Sequence, residues 1–125
     1  MKLSIVIPAY NEEKTIQKVI RNVQSVMANS RISYEIIVVN DGSKDNTATL
    51  VKKEDVILIN HPYNKGYGAS LKTGAINANG EFVLYFDADD QHDANDILKL
   101  LKFMDKFDMV VGERKKIIYH KCVET

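Results

Sequence analysis

Two aspartates separated by one residue, Asp87 and Asp89, directly follow the apolar run Phe82–Phe86. An apolar run of this length is consistent with a buried strand. A tight turn after the strand would bring both carboxylates to one point, where a divalent cation would relieve their repulsion. Mg²⁺ and Mn²⁺ favour one or two carboxylates together with water and diphosphate oxygens. Asp-x-Asp also occurs by chance in surface turns, so the pair alone favours a capped loop before a helix over a metal site.

Polar residues also follow two other apolar runs. Pro8–Glu12 comes after the run Leu3–Ile7, and Asp41–Ser43 comes shortly after Glu35–Val39. In an open parallel sheet, ligands bind outside the carboxyl ends of the strands. We therefore predict that three strand ends form one pocket able to hold ribose hydroxyls, a base edge and a metal-bound diphosphate.

The elements that must position these residues follow from the hydrophobic pattern. Short β-branched runs alternate with helix-period segments, which predicts an α/β fold with a parallel sheet and crossover helices. The predicted strands are Leu3–Ile7, Glu35–Val39, Val56–Ile59, Phe82–Phe86 and Met109–Val111. The predicted helices are one with its apolar face at Ile16–Met27, a short one at about Asp45–Lys53, one of small residues ending at Asn79–Gly80, and one at about Asp93–Lys106.

Helix caps can be assigned from residue type. Asn11 is a candidate cap of the first helix, with Glu12 and Glu13 in its first turn, where the helix dipole favours acids. Asp45 is a candidate cap of the second helix. Ser43 is also predicted to serve as a cap more readily than as a ligand.

Composition narrows the class of protein. The 125 residues are 45% apolar and 27% charged, as expected for one compact domain spanning residues 1–125. The 17 basic and 17 acidic residues cancel, and the bases are scattered, which argues against nucleic acid as a partner. Cys122 is the only cysteine, so an intrachain disulfide is excluded. With no signal-peptide core and no run of about 18 apolar residues, we expect a cytoplasmic protein.

Two common nucleotide-binding motifs are missing from the chain. No glycine-rich dinucleotide turn follows the first strand, and no Gly-x-x-x-x-Gly-Lys phosphate loop is present. Four other segments occur in order: Ile5–Glu12, Val38–Asp45, Asn64–Ala69 and Asp87–His92. Together they resemble the nucleotide-sugar-binding part of family 2 glycosyltransferases, nearest to the branch that transfers mannose or glucose to polyprenyl (dolichyl) phosphate.

This resemblance implies a fold and an activity. The implied fold is a three-layer α/β/α, Rossmann-like nucleotide-diphospho-sugar transferase (GT-A) fold with a mostly parallel sheet. The implied reaction transfers a hexose from a GDP- or UDP-sugar to polyprenyl phosphate or a glycan, with Mg²⁺ or Mn²⁺, by inverting displacement. A metal at Asp89 would neutralise the charge that develops on the leaving diphosphate.

The resemblance also implies roles for single residues. The implied donor-binding residues are Pro8, Ala9, Tyr10, Glu12, Asp41, Ser43, Lys72, Asp87, Ala88 and Asp89. Asp89 and Asp87 would be the catalytic acids and metal ligands, with Gln91 as an additional ligand. Arg114, after the predicted fifth strand, is a candidate phosphate contact.

Structural roles compete with several of these assignments. Tyr10 and Asn11 could serve only at a helix start, and Asp41–Ser43, implied to bind the base through Asp41, could be only a turn. Three glycines could serve either close helix packing or donor contact: Gly66, Gly68 and Gly74. We expect His61 and His120 to be incidental surface residues, and His92 only to flank the metal site.

The chain departs from the family in two respects. Ala94 replaces the usual proline after the acidic loop, and the family's catalytic domain extends well beyond Thr125. We therefore expect a truncated fold, incomplete at its C-terminus, whose activity alone is open. An uncovered sheet edge would favour a homo-oligomer, and a lipid acceptor would place the protein at the cytoplasmic membrane face.

Two rival functions remain. The first is a non-catalytic sugar-nucleotide-binding module, or a half-protein completed by a partner chain. The second is a signalling receiver domain, which would need an aspartate after the third strand. The sequence there is Asn60-His61-Pro62, which argues against a receiver.

Overall fold

The computed structural model describes residues 2–90, 93–102 and 116–119. Its strands are β1 (Leu3–Ala9), β2 (Tyr34–Asn40), β3 (Ile57–Asn60), β4 (Phe82–Tyr85) and β5 (Lys116–Tyr119). Its helices are α1 (Ile16–Ala28), α2 (Thr47–Val51), α3 (Tyr67–Asn77) and α4 (Asp96–Leu101).

All described strands run parallel in one sheet with the order β3-β2-β1-β4-β5. From β1 the chain adds β2 and β3 on one side, then crosses to the other side of β1 to form β4. The strand order therefore reverses between β1 and β4. At such a switch point the adjoining loops turn away from each other and leave a crevice outside the carboxyl ends of the strands. The predicted parallel α/β sheet is confirmed.

Helices cover both faces of this sheet because the strand side chains alternate between them. Leu3, Ile5 and Ile7 of β1 are buried in a core with α1, α2 and α4. Val6 points to the opposite face, where the partly buried Leu71 of α3 packs against the second core. Helix α1 buries residues at helical spacing, namely Ile16, Val19, Ile20, Val23 and Met27. The predicted three-layer α/β/α arrangement is thus confirmed.

Helix α3 lies unusually close to the sheet. A Cβ built on Gly74 would lie 2.2 Å from Cγ1 of Val6, well inside van der Waals contact. Gly74 therefore serves close helix packing, one of the two roles left open by the sequence. The residues at the N-terminus of α3 move with the helix. The close packing of α3 on the sheet therefore also fixes the position of these residues.

The C-terminal elements differ from the prediction. The strand predicted at Met109–Val111 lies outside the described residues, and the observed edge strand beside β4 is β5, Lys116–Tyr119. Helix α4 begins at Asp96 rather than Asp93. The Asp93 carboxylate instead accepts the Asn95 backbone N–H at 2.9 Å, which forms a turn before the helix. The predicted helix end, at residues 103–106, also lies outside the described residues.

Candidate active site

A cavity of about 360 Å³ lies at the carboxyl ends of the strands, where the strand order reverses. Eight of its lining residues were predicted as donor contacts: Pro8, Ala9, Tyr10, Glu12, Asp41, Asp87, Ala88 and Asp89. The structure thus brings together the ends of β1, β2 and β4. The volume is within the usual range for small-molecule sites, roughly 300–1,000 Å³.

The prediction missed part of the lining. Gly66, for which donor contact was left open, lines the cavity, and so do three residues with no predicted role: Asn64, Tyr67 and Ser70. The signal was present in the sequence, because Asn64–Ala69 is one of the four segments that resemble the family. Within this segment, only the glycines Gly66 and Gly68 were considered as donor contacts.

Other predicted site residues lie elsewhere or outside the described part. Ser43 and Lys72 are not among the described residues that line the cavity. The Ser43 hydroxyl accepts the Asn11 backbone N–H at 2.9 Å, and Lys72 is exposed on α3. Their donor contacts remain predictions. Gln91 and Arg114 lie outside the described residues, as do His92, His120 and Cys122.

The acidic segment after β4 is fixed by contacts on both sides. The Thr15 hydroxyl donates to the Ala88 carbonyl at 2.6 Å, and the Tyr67 hydroxyl donates to Asp87 Oδ1 at 3.0 Å. Lys18 pairs with Asp90 at 2.9 Å, and Asp90 has a positive φ of 61°. The turn that follows the strand is therefore held between α1 and α3.

Negative charge is concentrated in this cavity. Burial raises the pKa of Glu12 above its usual value, the hydrogen bond with Thr15 lowers it, and the charges of Asp89, Asp45 and Asp87 raise it further. Several carboxylates facing one half-buried space repel each other unless a cation or a proton neutralises them. No group of three or more His, Cys, Asp or Glu side chains suited to a metal is found within residues 2–90, 93–102 and 116–119.

Asp41 holds the loop after β3. Its Oδ1 accepts the Lys65 backbone N–H at 2.8 Å, and its Oδ2 accepts the Gly66 backbone N–H at 2.9 Å. Burial alone would raise the pKa of Asp41, but the hydrogen bonds from His61, Lys65 and Gly66 lower it below its usual value. A carboxylate has about four acceptor directions, so capacity for a further donor remains.

His61 corrects the sequence prediction. It was expected to be an incidental surface residue, yet its side chain is only 6% exposed. Its Nδ1 lies 2.8 Å from Asp41 Oδ1, and its Nε2 lies 2.8 Å from the Thr73 hydroxyl. A histidine that binds a carboxylate on one side and a hydroxyl on the other is well accommodated in the interior, which residue type alone does not reveal.

The loops after β2 and β3 pack directly against each other. Gly42 has a φ of 70°, and a Cβ built on it would lie 2.5 Å from the Tyr63 carbonyl carbon and 2.6 Å from the Asn64 nitrogen. Only glycine fits this backbone contact without strain. The Asp41–Ser43 segment is therefore a turn, and it also supports the wall of the cavity that contains Asn64.

Hydrogen bonds also connect the loops after β1 and β2, and they correct the cap assigned to Asn11. Helix α1 begins only at Ile16, and the Asn11 side chain instead accepts the Lys44 backbone N–H at 2.8 Å. Glu12 and Glu13 precede the helix, so no acid lies in its first turn. The cap assigned to Asp45 holds in part, because its Oδ1 accepts the Thr47 N–H at 2.9 Å, although Asn46 occupies the N-cap position.

The sequence resembles those of known proteins over most of its length. Residues 4–121 match the model of the family described as "Glycosyl transferase family 2". The chain belongs to glycosyltransferase family 2. A dolichyl-phosphate β-glucosyltransferase of Trichomonas vaginalis is 37% identical to this family member over 90% of the chain and 39% of the relative. A UDP-N-acetylglucosamine–dolichyl-phosphate N-acetylglucosaminyltransferase of Methanococcus voltae is also 37% identical, over 90% of the chain and 51% of the relative.

Solved structures agree with this assignment. A crystal structure of S. aureus TarS 1–349 in complex with UDP-GlcNAc is 29% identical, with a TM-score of 0.66. The match covers 85% of this family 2 chain and 32% of the TarS chain. The predicted GT-A fold is confirmed. The chain spans about half or less of the length of the relatives named here.

Proposed function

We propose that this chain is the donor-binding part of a transferase that moves a hexose from a nucleotide-diphosphate sugar to an acceptor. The observation that carries the proposal is the cavity at the β1/β4 switch point, with Asp41 at one end and Asp87 and Asp89 at the other. The names of the two dolichyl-phosphate relatives support polyprenyl phosphate as the acceptor, with a glycan as the alternative. We favour uridine as the base of the donor, because one relative and the TarS complex carry UDP-GlcNAc in their names. Guanosine is the alternative base.

The residues present fit a divalent cation. Asp87 and Asp89 line the same cavity, and Glu12 is crowded by negative charge there. Mg²⁺ and Mn²⁺ bound with nucleotide diphosphates use one or two carboxylates and take their other ligands from phosphates and water. Asp89 and Asp87 would hold the cation, with Gln91 as a further predicted ligand. When bound, the cation would offset the negative charge of the leaving diphosphate.

The chain's own residues then have distinct tasks. Pro8, Ala9 and Tyr10, at the end of β1, form one side of the cavity and would orient the nucleoside. Asp41 holds the opposite wall through Lys65 and Gly66 and has acceptor capacity left for a base N–H. Inverting displacement at the sugar remains a prediction, as does the phosphate contact of Arg114.

The domain boundary, the assembly state and the cellular location are also proposals. We infer that residues 1–125 form one domain. Relatives of full length add further structure to the corresponding domain. β3 lies at one edge of the sheet, with Ile57 43% exposed, which favours self-association through that edge. None of the helices in the described ranges has the length and apolar character needed to cross a membrane. A cytoplasmic protein peripheral to the membrane face is our prediction.

Calorimetric titration with UDP and GDP, each with and without Mn²⁺, tests the donor site. We expect UDP to bind more tightly with Mn²⁺, and Asp89→Ala to remove most of that gain, at least about tenfold in affinity. Asp55→Ala is the matched control, because Asp55 is exposed just before β3, at the opposite end of the sheet. Failure of both nucleotides to bind, with or without metal, would refute the proposal.

Transfer is tested separately from binding. A radiolabelled panel of UDP- and GDP-hexoses is incubated with polyprenyl phosphate and the chain, and lipid-linked label is measured. Labelled lipid would support transfer by this chain. Tight, metal-dependent nucleotide binding without labelled lipid would favour the second candidate, a non-catalytic module or one completed by a partner chain.

A further inference from the structure

The side chain of His61 connects three segments around the donor cavity: the loop after β3, the loop after β2 and helix α3. It follows β3, its Nδ1 lies 2.8 Å from Asp41 after β2, and its Nε2 lies 2.8 Å from the Thr73 hydroxyl on α3. The ring itself is not among the described residues that line the cavity. It is therefore placed to act on the donor through other residues.

Asp41 transmits this contact to the cavity lining. The carboxylate oxygen that binds His61 also accepts the Lys65 N–H, and the other oxygen accepts the Gly66 N–H. Asn64 and Gly66 line the cavity directly. A carboxylate only accepts hydrogen bonds, so His61 donates through Nδ1 and fixes the rotation of the Asp41 side chain.

The Thr73 contact restrains the ring from the other side. Thr73 lies on α3, whose first residues include Tyr67 and Ser70 of the cavity lining. The Thr73 hydroxyl can donate to Nε2 or accept from it, so the contact holds in either ring state. His61 thus couples the depth of α3 to the orientation of Asp41.

We propose that His61 is a positioning residue that fixes the Asn64–Gly66 wall through Asp41 and thereby sets the affinity of the site for a nucleoside diphosphate. This rests on the proposed function as a donor-binding site. Packing alone would make any residue of similar size adequate. Positioning requires a hydrogen-bond donor at the place of Nδ1.

Two variants of similar size separate these alternatives. In His61→Asn the amide nitrogen can replace Nδ1 and keep the bond to Asp41. In His61→Gln the longer side chain can replace Nε2 and keep the bond to Thr73. Both variants bury one neutral amide, so a merely structural role predicts similar losses.

UDP affinity, with Mn²⁺ present, is the first measurement. We expect His61→Gln to weaken UDP binding roughly tenfold, the effect of losing a hydrogen bond to a charged group, and His61→Asn to retain most of the affinity. Equal losses in the two variants would overturn the proposal.

Amide hydrogen exchange is the second measurement and needs no ligand. We expect the Lys65 and Gly66 N–H groups to exchange faster in His61→Gln than in His61→Asn, while Ile5 in the central strand reports global opening. If the unmodified chain binds no nucleotide, the proposed function fails, and the exchange data alone still show whether His61 holds the loop.

A third variant covers the case in which neither substitution folds. Thr73→Val keeps the shape of the side chain and removes only the partner of Nε2. Because the Nδ1 donor to Asp41 stays in place, exchange at Lys65 and Gly66, relative to Ile5, is expected to remain close to that of the unmodified chain. Marked acceleration at both amides would overturn the proposal, because the loop would then depend on the Nε2 contact and not on the Nδ1 donor.

Discussion

Gly74→Ala should destabilise the chain by overpacking α3 against β1. The new Cβ would lie 2.2 Å from Cγ1, 3.0 Å from Cγ2 and 3.1 Å from Cβ of Val6, which is fully buried. Rotation of Val6 cannot relieve all three contacts, so the helix must move. Overpacking of this kind costs about 1–3 kcal/mol, and alanine regains about 1 kcal/mol of helix propensity over glycine. We expect a net loss of up to roughly 2 kcal/mol in the free energy of unfolding.

A double-mutant cycle shows whether Val6 is the cause. Val6→Ala removes two methyl groups and should cost about 2–3 kcal/mol by itself. In the double variant the methyl group introduced at position 74 would occupy part of the space left by Val6, so the two costs should not add. We expect a coupling free energy of about 1–3 kcal/mol, with Gly74→Ala neutral or stabilising in the Val6→Ala background.

Urea unfolding followed by circular dichroism measures all four corners of the cycle. The slope of the free energy with urea should stay constant, so that midpoint shifts report stability. Nucleotide affinity should follow the same pattern, because a raised α3 moves Tyr67 and Ser70 in the cavity lining. Additive costs would refute the reasoning, since they would mean that the close approach between Gly74 and Val6 does not determine where α3 lies.

Three further predictions concern the loops of the site. Glu12→Gln should raise the melting temperature at pH 7 but leave it unchanged below pH 4.5. The pKa of Glu12 in the folded chain is raised above 4.5, so the unmodified chain loses stability as the pH rises from 4.5 through that folded-state pKa. A melting temperature that is unchanged at pH 7 would contradict this. Thr15→Val should cost about 1 kcal/mol in urea unfolding and weaken Mn²⁺-dependent UDP binding, because the Ala88 carbonyl loses its donor; unaltered metal dependence would argue that Thr15 does not hold the acidic turn. Gly42→Ala should cost at least about 2 kcal/mol, from the left-handed φ and the clash with Tyr63, and a fully stable variant in the same assay would show that the two loops separate easily.

Much of the fold could be predicted because hydrophobic periodicity is a strong local signal. The strands at Leu3–Ile7, Glu35–Val39, Val56–Ile59 and Phe82–Phe86 differ from the observed ones by at most two residues at either end. The apolar face of α1 was also predicted. The position of the candidate cavity could be predicted because the carboxyl ends of parallel strands lie at one edge of the sheet, whatever the details of the loops.

The errors concern residues whose roles depend on distant partners. Asn11 has the composition of a cap, but its side chain binds Lys44, 33 positions away. His61 looks incidental until the fold places Asp41 on one side of it and Thr73 on the other. Gly42 could be assigned to a turn but not to its contact with Tyr63. Such long-range pairings leave no periodic trace in the sequence.

The reversal of strand order between β1 and β4 has a consequence for how a bound nucleotide acts on the whole molecule. The cavity is assembled from segments at residues 8–12, 41, 64–70 and 87–89, which are neighbours only when the central strands are paired. A nucleotide in the cavity cannot therefore be accommodated by any partly assembled sheet. At a hundred times its dissociation constant it would add about 2.7 kcal/mol to global stability. Amide hydrogen exchange should then slow in β1, β2 and β4 by the same factor, because the ligand stabilises the paired strands as one unit.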